Sequence, residues 1–369
     1  MNSARIGVLT FHRCINYGSY WQTRCLVEGL QQRGYEVEIL DHQAPRINFV
    51  EWKCALQPVL PTPVPKSDHA LYRQKIEKFL KLFESLPMSP AFHLDNPVEM
   101  AEYDMVVVGS DEVWNLAHPW YGYCQLFYGD DIRARRLISY AASFGNYDAS
   151  WGLEEDWAAK LHQFESISVR DENSQAIVKN ALGFEPQMVL DPCLQFPVHA
   201  EERDLGHLKT PYVAVYGHNF SGYFINKIRA WANAQKLPLI SIGYRNDWAD
   251  EQWLTADPHD FVQFIAGSEA VVTNFFHGCV FALKQLKPFV CETSPYRSHK
   301  VAGLMKKLGA GHHLMKEDAP AALYHSRLTE SLDAAILQKI DELRDSSNSY
   351  LDLALGSTLS SMHERFIES

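Results

Sequence analysis

A chain of 369 residues with 46% apolar side chains has the material for two cores, each large enough to fold as a unit. Its formal net charge of −11, with no basic stripe, excludes a nucleic-acid groove, so positive potential for an anionic ligand has to be local. Seven cysteines at positions 14, 25, 54, 124, 193, 279 and 291 form no Cys-x-x-Cys pair, which removes zinc and disulfide frameworks and leaves reduced packing thiols.

Met1-Asn2-Ser3-Ala4-Arg5 runs straight into an apolar strand without a signal-peptide core. No stretch nears the roughly 18 apolar residues of a membrane span, and a soluble, cytoplasmic protein is expected. The first strand, Ile6 to Phe11, leads into the turn Asn16-Tyr17-Gly18-Ser19 and a helix from about Tyr20. Val37 to Leu40, Met105 to Val108, Leu137 to Tyr140, Ile167 to Val169 and Met188 to Leu190 read as further strands. Several lack polar alternation, as in a parallel sheet covered on both faces. Between the second and third strands, the proline-rich Gln57 to Pro65 precedes an amphipathic helix over about Asp68 to Ser85, with Leu71, Ile76, Phe79, Leu80 and Phe83 apolar. This 57–90 stretch is an insertion or lid.

A linker follows Asp191-Pro192, after which a second alternation begins: strand Tyr212 to Tyr216, helix Phe224 to Gln235, strand Leu239 to Ile242, helix His259 to Gly267. It continues through strand Ala270 to Thr273, helix Gly278 to Leu286, strand Phe289 to Cys291 and helix Val301 to Leu308. The fold class expected is α/β, with two doubly wound Rossmann-like domains facing a central cleft. Residues 1–200 would form the first, 201–330 the second, and 331–369 a helix near Leu332 to Arg344 and a tail that cross back onto the first.

The most informative segment is Thr273-Asn274-Phe275-Phe276-His277-Gly278, where a buried strand delivers a histidine and a glycine to a helix N-terminus. Free N–H groups and the helix dipole favour an anion there. Open α/β sheets bind ligands beyond the carboxyl ends of their strands. The clusters Asn16-Tyr17-Gly18-Ser19, Gly109-Ser110-Asp111 and Arg170-Asp171-Glu172 fall at the same kind of position. There is no Gly-x-Gly-x-x-Gly, Walker A loop, His-Glu-x-x-His or Asp-x-Asp, so dinucleotide, P-loop and metal-dependent readings lose support. Neither a cofactor nor a metal is expected.

Six segments in this order and spacing resemble the polysaccharide pyruvyl transferases: Asn16-Tyr17-Gly18, Val108-Gly109-Ser110-Asp111-Glu112-Val113-Trp114-Asn115, Ser139 to Gly145, Ser168-Val169-Arg170-Asp171, Leu190-Asp191-Pro192 and Phe276-His277-Gly278. The resemblance implies a fold similar to the GT-B glycosyltransferases and transfer of the enolpyruvyl group of phosphoenolpyruvate onto a sugar of a cell-surface polysaccharide. It also implies a saccharide acceptor, lipid-linked or nucleotide-linked, peripheral contact with membrane-bound polysaccharide machinery, and donor-binding or catalytic roles for Arg170 and His277. Many members carry an arginine two positions before that histidine, where this chain has Phe275.

Making a pyruvate ketal requires protonating the methylene carbon of the donor, adding two hydroxyls at its central carbon and releasing phosphate. A guanidinium binds the donor's oxyanions bidentately, which suits Arg170. His277 can hold phosphate or move a proton. Asp111 is the candidate base. Asn16, Tyr17, Gly18, Ser110, Trp114, Phe276 and Gly278 are the expected binding residues, with Lys300, and Arg297 beside it, as substitutes for the missing arginine.

The same residues have plainer uses. His277 could be satisfied within a tight turn, Arg170 could pair with Asp171 or Glu172 at the surface, Asp111 could cap a following helix, and Asn16 and Gly18 could only shape a turn. The aromatic run Trp114, Trp120, Tyr121, Tyr123, Phe127, Tyr128 suits stacking on sugars or core packing. Two other functions stay open: a GT-B glycosyltransferase using a nucleotide sugar, and a non-catalytic sugar-binding protein of a polysaccharide assembly system.

Overall fold

The unbroken apolar runs of the sequence become parallel strands buried on both faces, as in Tyr103–Val108 and Ala270–Thr273. The computed structural model describes residues 4–206, 208, 211–293 and 298–365. In its first half the strands are β1 (Arg5–Leu9), β2 (Glu36–Ile39), β3 (His42–Gln43), β4 (Phe92–His93), β5 (Tyr103–Val108), β6 (Ala134–Ser139), β7 (Ser168–Val169) and β8 (Gln187–Met188). The helices there are α1 (Tyr17–Gln32), α2 (Pro45–Leu56), α3 (His69–Phe83), α4 (Glu155–Leu161), α5 (Glu172–Leu182) and α6 (Pro192–Gln195). The second half holds β9 (Val213–Tyr216), β10 (Leu239–Ile242), β11 (Glu251–Trp253), β12 (Ala270–Thr273), β13 (Phe289–Glu292) and β14 (Leu314–Met315). Between and after them run α7 (Gly222–Gln235), α8 (Pro258–Gly267), α9 (Phe276–Lys284), α10 (Ser298–Lys307), α11 (Ala321–Thr329) and α12 (Ala334–Arg365).

The first sheet has the order β2-β1-β5-β6 and the second β11-β10-β9-β12-β13-β14, with parallel pairing throughout. Isolated parallel bridges, Ile138 to Ser166 and Ala142 to Val169, extend the first sheet towards β7. The chain is therefore α/β with two doubly wound sheets, as the alternation predicts.

Aromatic side chains of α1 join the two halves. Tyr17 stacks on Phe261 with centroids 4.6 Å apart and donates its hydroxyl to the Ala256 carbonyl, and the Trp21 indole donates to the Pro258 carbonyl. The inserted helix α3 is also tied to the second half: the Tyr72 hydroxyl accepts from the Arg245 amide, Asp68 pairs with Arg245, and Lys75 Nζ donates to the Gly243 carbonyl. A further helix, α2, precedes the 57–90 stretch, with Pro45 at its first position.

Asp191, just ahead of the expected linker, caps the buried turn α6. Two other features depart from the sequence reading. No helix follows Ser110, so Asp111 caps none. The C-terminal helix is far longer than expected, since the polar run Asp345-Ser346-Ser347-Asn348-Ser349 looks like loop in isolation. It stays helical against the first half, where Ser347 Oγ accepts from the Leu190 amide and the Tyr350 hydroxyl donates to the Ser139 carbonyl. No described helix is long and apolar enough to cross a membrane.

Candidate active site

Strand order reverses between β1 and β5 in one sheet and between β9 and β12 in the other, and such switch points open crevices at the carboxyl ends of strands. Loops from both reversals line one cavity of about 320 Å³. Asn16 and Ser19 reach it after β1, Asp111 and Glu112 after β5, Arg170 after β7, His218 after β9, Tyr244 after β10, and Phe276 and His277 after β12.

Arg170 is 7% exposed and organises the floor. One terminal nitrogen donates to Asp191 Oδ2 at 3.0 Å and the other to Asp111 Oδ1 at 3.0 Å, while the guanidinium lies 4.8 Å from the centroid of the Phe276 ring. Burial works against its charge, but Asp111, Asp191, Asp171 and Glu112 outweigh that and raise its pKa further. Its Nε has no hydrogen-bond partner. The surface-pair alternative falls away, because Asp171 instead caps α5 and accepts from Ser143 Oγ.

His277 opens α9, a helix without a side-chain N-cap, so the N–H groups of its first turn face the cavity end. Its Nε2 lies 3.5 Å from Asp191 Oδ2 but makes no hydrogen bond. Asp191 thus sits between a guanidinium and an imidazole. Burial pushes its carboxyl upward, and His277 with Arg170 more than reverses this, holding it well below the usual carboxylate range. Leu190-Asp191-Pro192 is one of the segments that carry the family resemblance, but the sequence alone assigns Asp191 no role at the site.

Asp111 adopts φ +74°, a conformation short polar residues tolerate better than most, and its oxygens are already engaged. Oδ1 accepts from Arg170 and the Glu112 amide; Oδ2 accepts from Ser19 Oγ at 3.0 Å. Lys300 lines the cavity with its ammonium bonded to Glu112, whose carboxyl burial would raise but which Lys300 and Arg170 pull down to about 2. Arg297 lies outside the described residues. Phe275, in the arginine's place, packs edge-on to Tyr216, His218 and Tyr244.

The remaining expected residues divide. Asn16 lines the cavity and caps α1, accepting from the amides of Gly18 and Ser19. Gly18 packs against the His277 ring, and a Cβ on Gly278 would strike Thr273 Oγ1 at 1.9 Å, so both glycines keep the histidine turn close to its neighbours. Ser110 is buried below Arg170, its Oγ 3.5 Å from that guanidinium. Two residues lie away from the cavity. Tyr17 is committed to the interface with Phe261, and Trp114 is fully buried, its indole donating to the Phe127 carbonyl and its ring packed on Phe144 and Phe164. Of the aromatic run, the partly buried Trp120 lines the cavity, whereas the exposed Tyr123 does not.

Asp191, Cys193 and His277 place a carboxylate oxygen, a sulfur and an imidazole nitrogen within 4.8 Å of one another. The set suits a divalent cation poorly. Asp191 already neutralises a guanidinium, and burial keeps the Cys193 thiol well above its ordinary pKa, where it is not a thiolate ligand.

These features place a buried guanidinium and an imidazole in one cavity lined from two parallel sheets. The family model for polysaccharide pyruvyl transferase matches residues 16–294, and the chain belongs to that family. No match was found among the curated proteins. Among solved structures, a protein assigned as a UDP-N-acetylglucosamine 2-epimerase from Listeria monocytogenes aligns with a TM-score of 0.51 at 11% identity, over 100% of this chain and 98% of that one. This likeness shows a GT-B-like fold. MnaA from S. aureus with UDP aligns at 14% identity over 94% of this chain and 97% of that one, with a TM-score of 0.48. UDP-GlcNAc 2-epimerase from Methanocaldococcus jannaschii aligns at 13% identity over 88% and 91%, also with a TM-score of 0.48.

Proposed function

We propose that this cavity transfers the enolpyruvyl group of phosphoenolpyruvate onto two hydroxyls of one sugar in a cell-surface polysaccharide or its precursor, forming a pyruvate ketal and releasing phosphate. The observation that carries this reading is Arg170: buried, held charged, with an unused Nε, beside His277 at an uncapped helix N-terminus. A donor with a carboxylate and a phosphate on one carbon matches that pairing of guanidinium and helix end. Residues 201–330 supply the α9 end of the donor site and residues 1–200 the acceptor wall.

In this mechanism Arg170 clamps the donor and Asp111 and Asp191 fix the guanidinium plane. Asp191 provides a counter-charge for imidazolium, so His277 can hold the phosphate in the ground state and give a proton to the methylene carbon as the central carbon is attacked. Water exclusion in the buried floor strengthens each of these interactions. The test is phosphate release from phosphoenolpyruvate measured against a panel of sugar nucleotides and lipid-linked saccharides, beside hydrolysis of the nucleotide sugars themselves. Acceptor-dependent phosphate release supports the reading; hydrolysis of a nucleotide sugar with phosphoenolpyruvate untouched selects a glycosyltransferase.

A further inference from the structure

Attack on the donor's central carbon needs a group to take the hydroxyl proton, and the carboxylates at the donor end are committed elsewhere. Asp111 accepts three hydrogen bonds, one from a guanidinium, and Glu112 is paired with Lys300. A third carboxylate lines the same cavity. Glu51, on α2, is 9% exposed, and its Oε1 accepts from the Ile15 amide at 2.7 Å. Among the described residues no cation stands within ion-pair distance of it, and its Oε2 has no hydrogen-bond partner.

The position relative to the donor end is fixed by one short turn. Ile15 holds Glu51 and Ser19 holds Asp111, so the two carboxylates flank the start of α1, with Arg170 beyond Asp111. The wall near Glu51 also suits a sugar. Trp120 offers a partly exposed ring, and His118 Nδ1 accepts from the amides of Trp120 and Tyr121, which leaves the hydrogen of the neutral ring on Nε2 as a donor.

We propose that Glu51 is the general base for the acceptor hydroxyl, an assignment that rests on the pyruvyl-transfer reading above. The first hydroxyl oxygen bonds to the donor's central carbon as the carbon–carbon π pair takes a proton from His277, and the hydroxyl proton passes to Glu51. The carbon–oxygen bond to phosphate then breaks, the second hydroxyl bonds to the same carbon, and its proton leaves with the phosphate. Exchange with water returns a proton to His277 and removes one from Glu51.

The surroundings of Glu51 match that task. Burial raises its carboxyl to about 7, against the pull of the Ile15 amide and the Lys75 ammonium, which puts its basicity near working pH. The titratable groups facing it are Lys75 on α3, Cys54 on its own helix, Cys14 in the turn before α1 and Tyr121 beyond. Lys75, buried over the rings of Tyr17 and Tyr244, is lowered by that burial to about 7, Glu51 opposing.

The experiment compares the parent with Glu51→Gln, Lys75→Met and Arg170→Lys in the full chain. It measures phosphoenolpyruvate binding by calorimetry and phosphate release with p-nitrophenyl hexosides, nucleotide sugars and lipid-linked saccharides. Gln keeps the Ile15 contact, so Glu51→Gln should bind phosphoenolpyruvate as the parent does while kcat falls about 100-fold or more and the acidic limb of its pH profile disappears. Lys75→Met removes a cation that favours the carboxylate, so that limb should move to higher pH. Arg170→Lys should lose donor binding. Glu51→Gln with parental kcat and an unchanged limb overturns the base assignment while leaving pyruvyl transfer intact. A parent that binds phosphoenolpyruvate but turns over none of these acceptors also counts against it. A parent that fails to bind phosphoenolpyruvate sinks the pyruvyl-transfer reading itself.

Discussion

A Cβ placed on Gly18 would lie 2.0 Å from Nδ1 of His277, closer than any side chain and ring can approach. The first turn of α1 and the first turn of α9, some 260 residues apart in sequence, are therefore fitted through one missing side chain. Alanine in a helix ordinarily stabilises by about 0.5–1 kcal/mol over glycine, but forcing a methyl into a packed contact costs about 1–3 kcal/mol. Gly18→Ala should thus melt lower than the parent and lose about 100-fold in kcat/KM, since the ring must leave its place. A Gly18→Ala protein that melts higher and turns over normally would show that His277 has no need of this position.

Arg170→Lys keeps a positive charge but cannot span Asp111 and Asp191 together. The loss expected in kcat/KM for phosphoenolpyruvate is about 2–4 kcal/mol, with a lower melting temperature because one buried carboxylate goes unpaired. Steady-state kinetics and thermal melts on the same preparation separate the two effects. Unchanged donor kinetics in a destabilised variant would make the arginine purely structural.

His277→Gln retains a hydrogen-bond donor of similar reach and cannot carry a proton. If the histidine transfers the proton to the methylene carbon, kcat falls about 100-fold or more and the pH profile changes shape. If Gln keeps most turnover with the same pH profile, His277 only anchors phosphate, and the acid in the mechanism must be sought elsewhere.

Glu51 carries a prediction about stability that needs no substrate. Its folded pKa of about 7 stands above the ordinary 4.5, so the folded state binds its proton more tightly than the unfolded chain does. The stabilisation is complete below the unfolded value and is lost as pH rises through about 7. Removing the ionisable group should therefore matter little at pH near 5 and help at pH near 8, by at most roughly 3 kcal/mol. Melting curves of Glu51→Gln and the parent at the two pH values test this. A variant that gains nothing between them means the carboxyl is not buried as described.

Turnover should survive chelation. Arg170, His277 and the α9 N-terminus can neutralise the donor without a cation, and Asp191 is already bound to a guanidinium. Activity abolished by EDTA and restored by magnesium would place a metal at the donor and contradict this electrostatic account.

The alternation of strands and helices was legible because parallel strands buried on both faces leave continuous apolar runs such as Met105 to Val108. The strand-end positions of Asp111, Arg170 and His277 followed from that alternation, and the structure brings them to one cavity. What escaped depends on contacts distant in sequence. Asp191 has no visible role until Arg170 and His277 close on it, and Glu51 is one more helix glutamate until Ile15 binds it. Trp114 and Trp120 are indistinguishable by composition; only packing buries one and leaves the other at the cavity. The polar stretch from Asp345 to Ser349 reads as loop because what holds it, such as the Leu190 amide on Ser347, lies 157 residues away in the chain.

The central claim is that two sugar oxygens end on the carbon that carried phosphate. Phosphoenolpyruvate labelled with carbon-13 at its central carbon, incubated with the protein and an acceptor that supports phosphate release, reports this directly by NMR. The account predicts that the label appears as a ketal carbon coupled through two oxygens to one sugar ring, with one phosphate released per ketal formed. Label recovered only as free pyruvate, or as an enol ether still carrying its double bond, would contradict it.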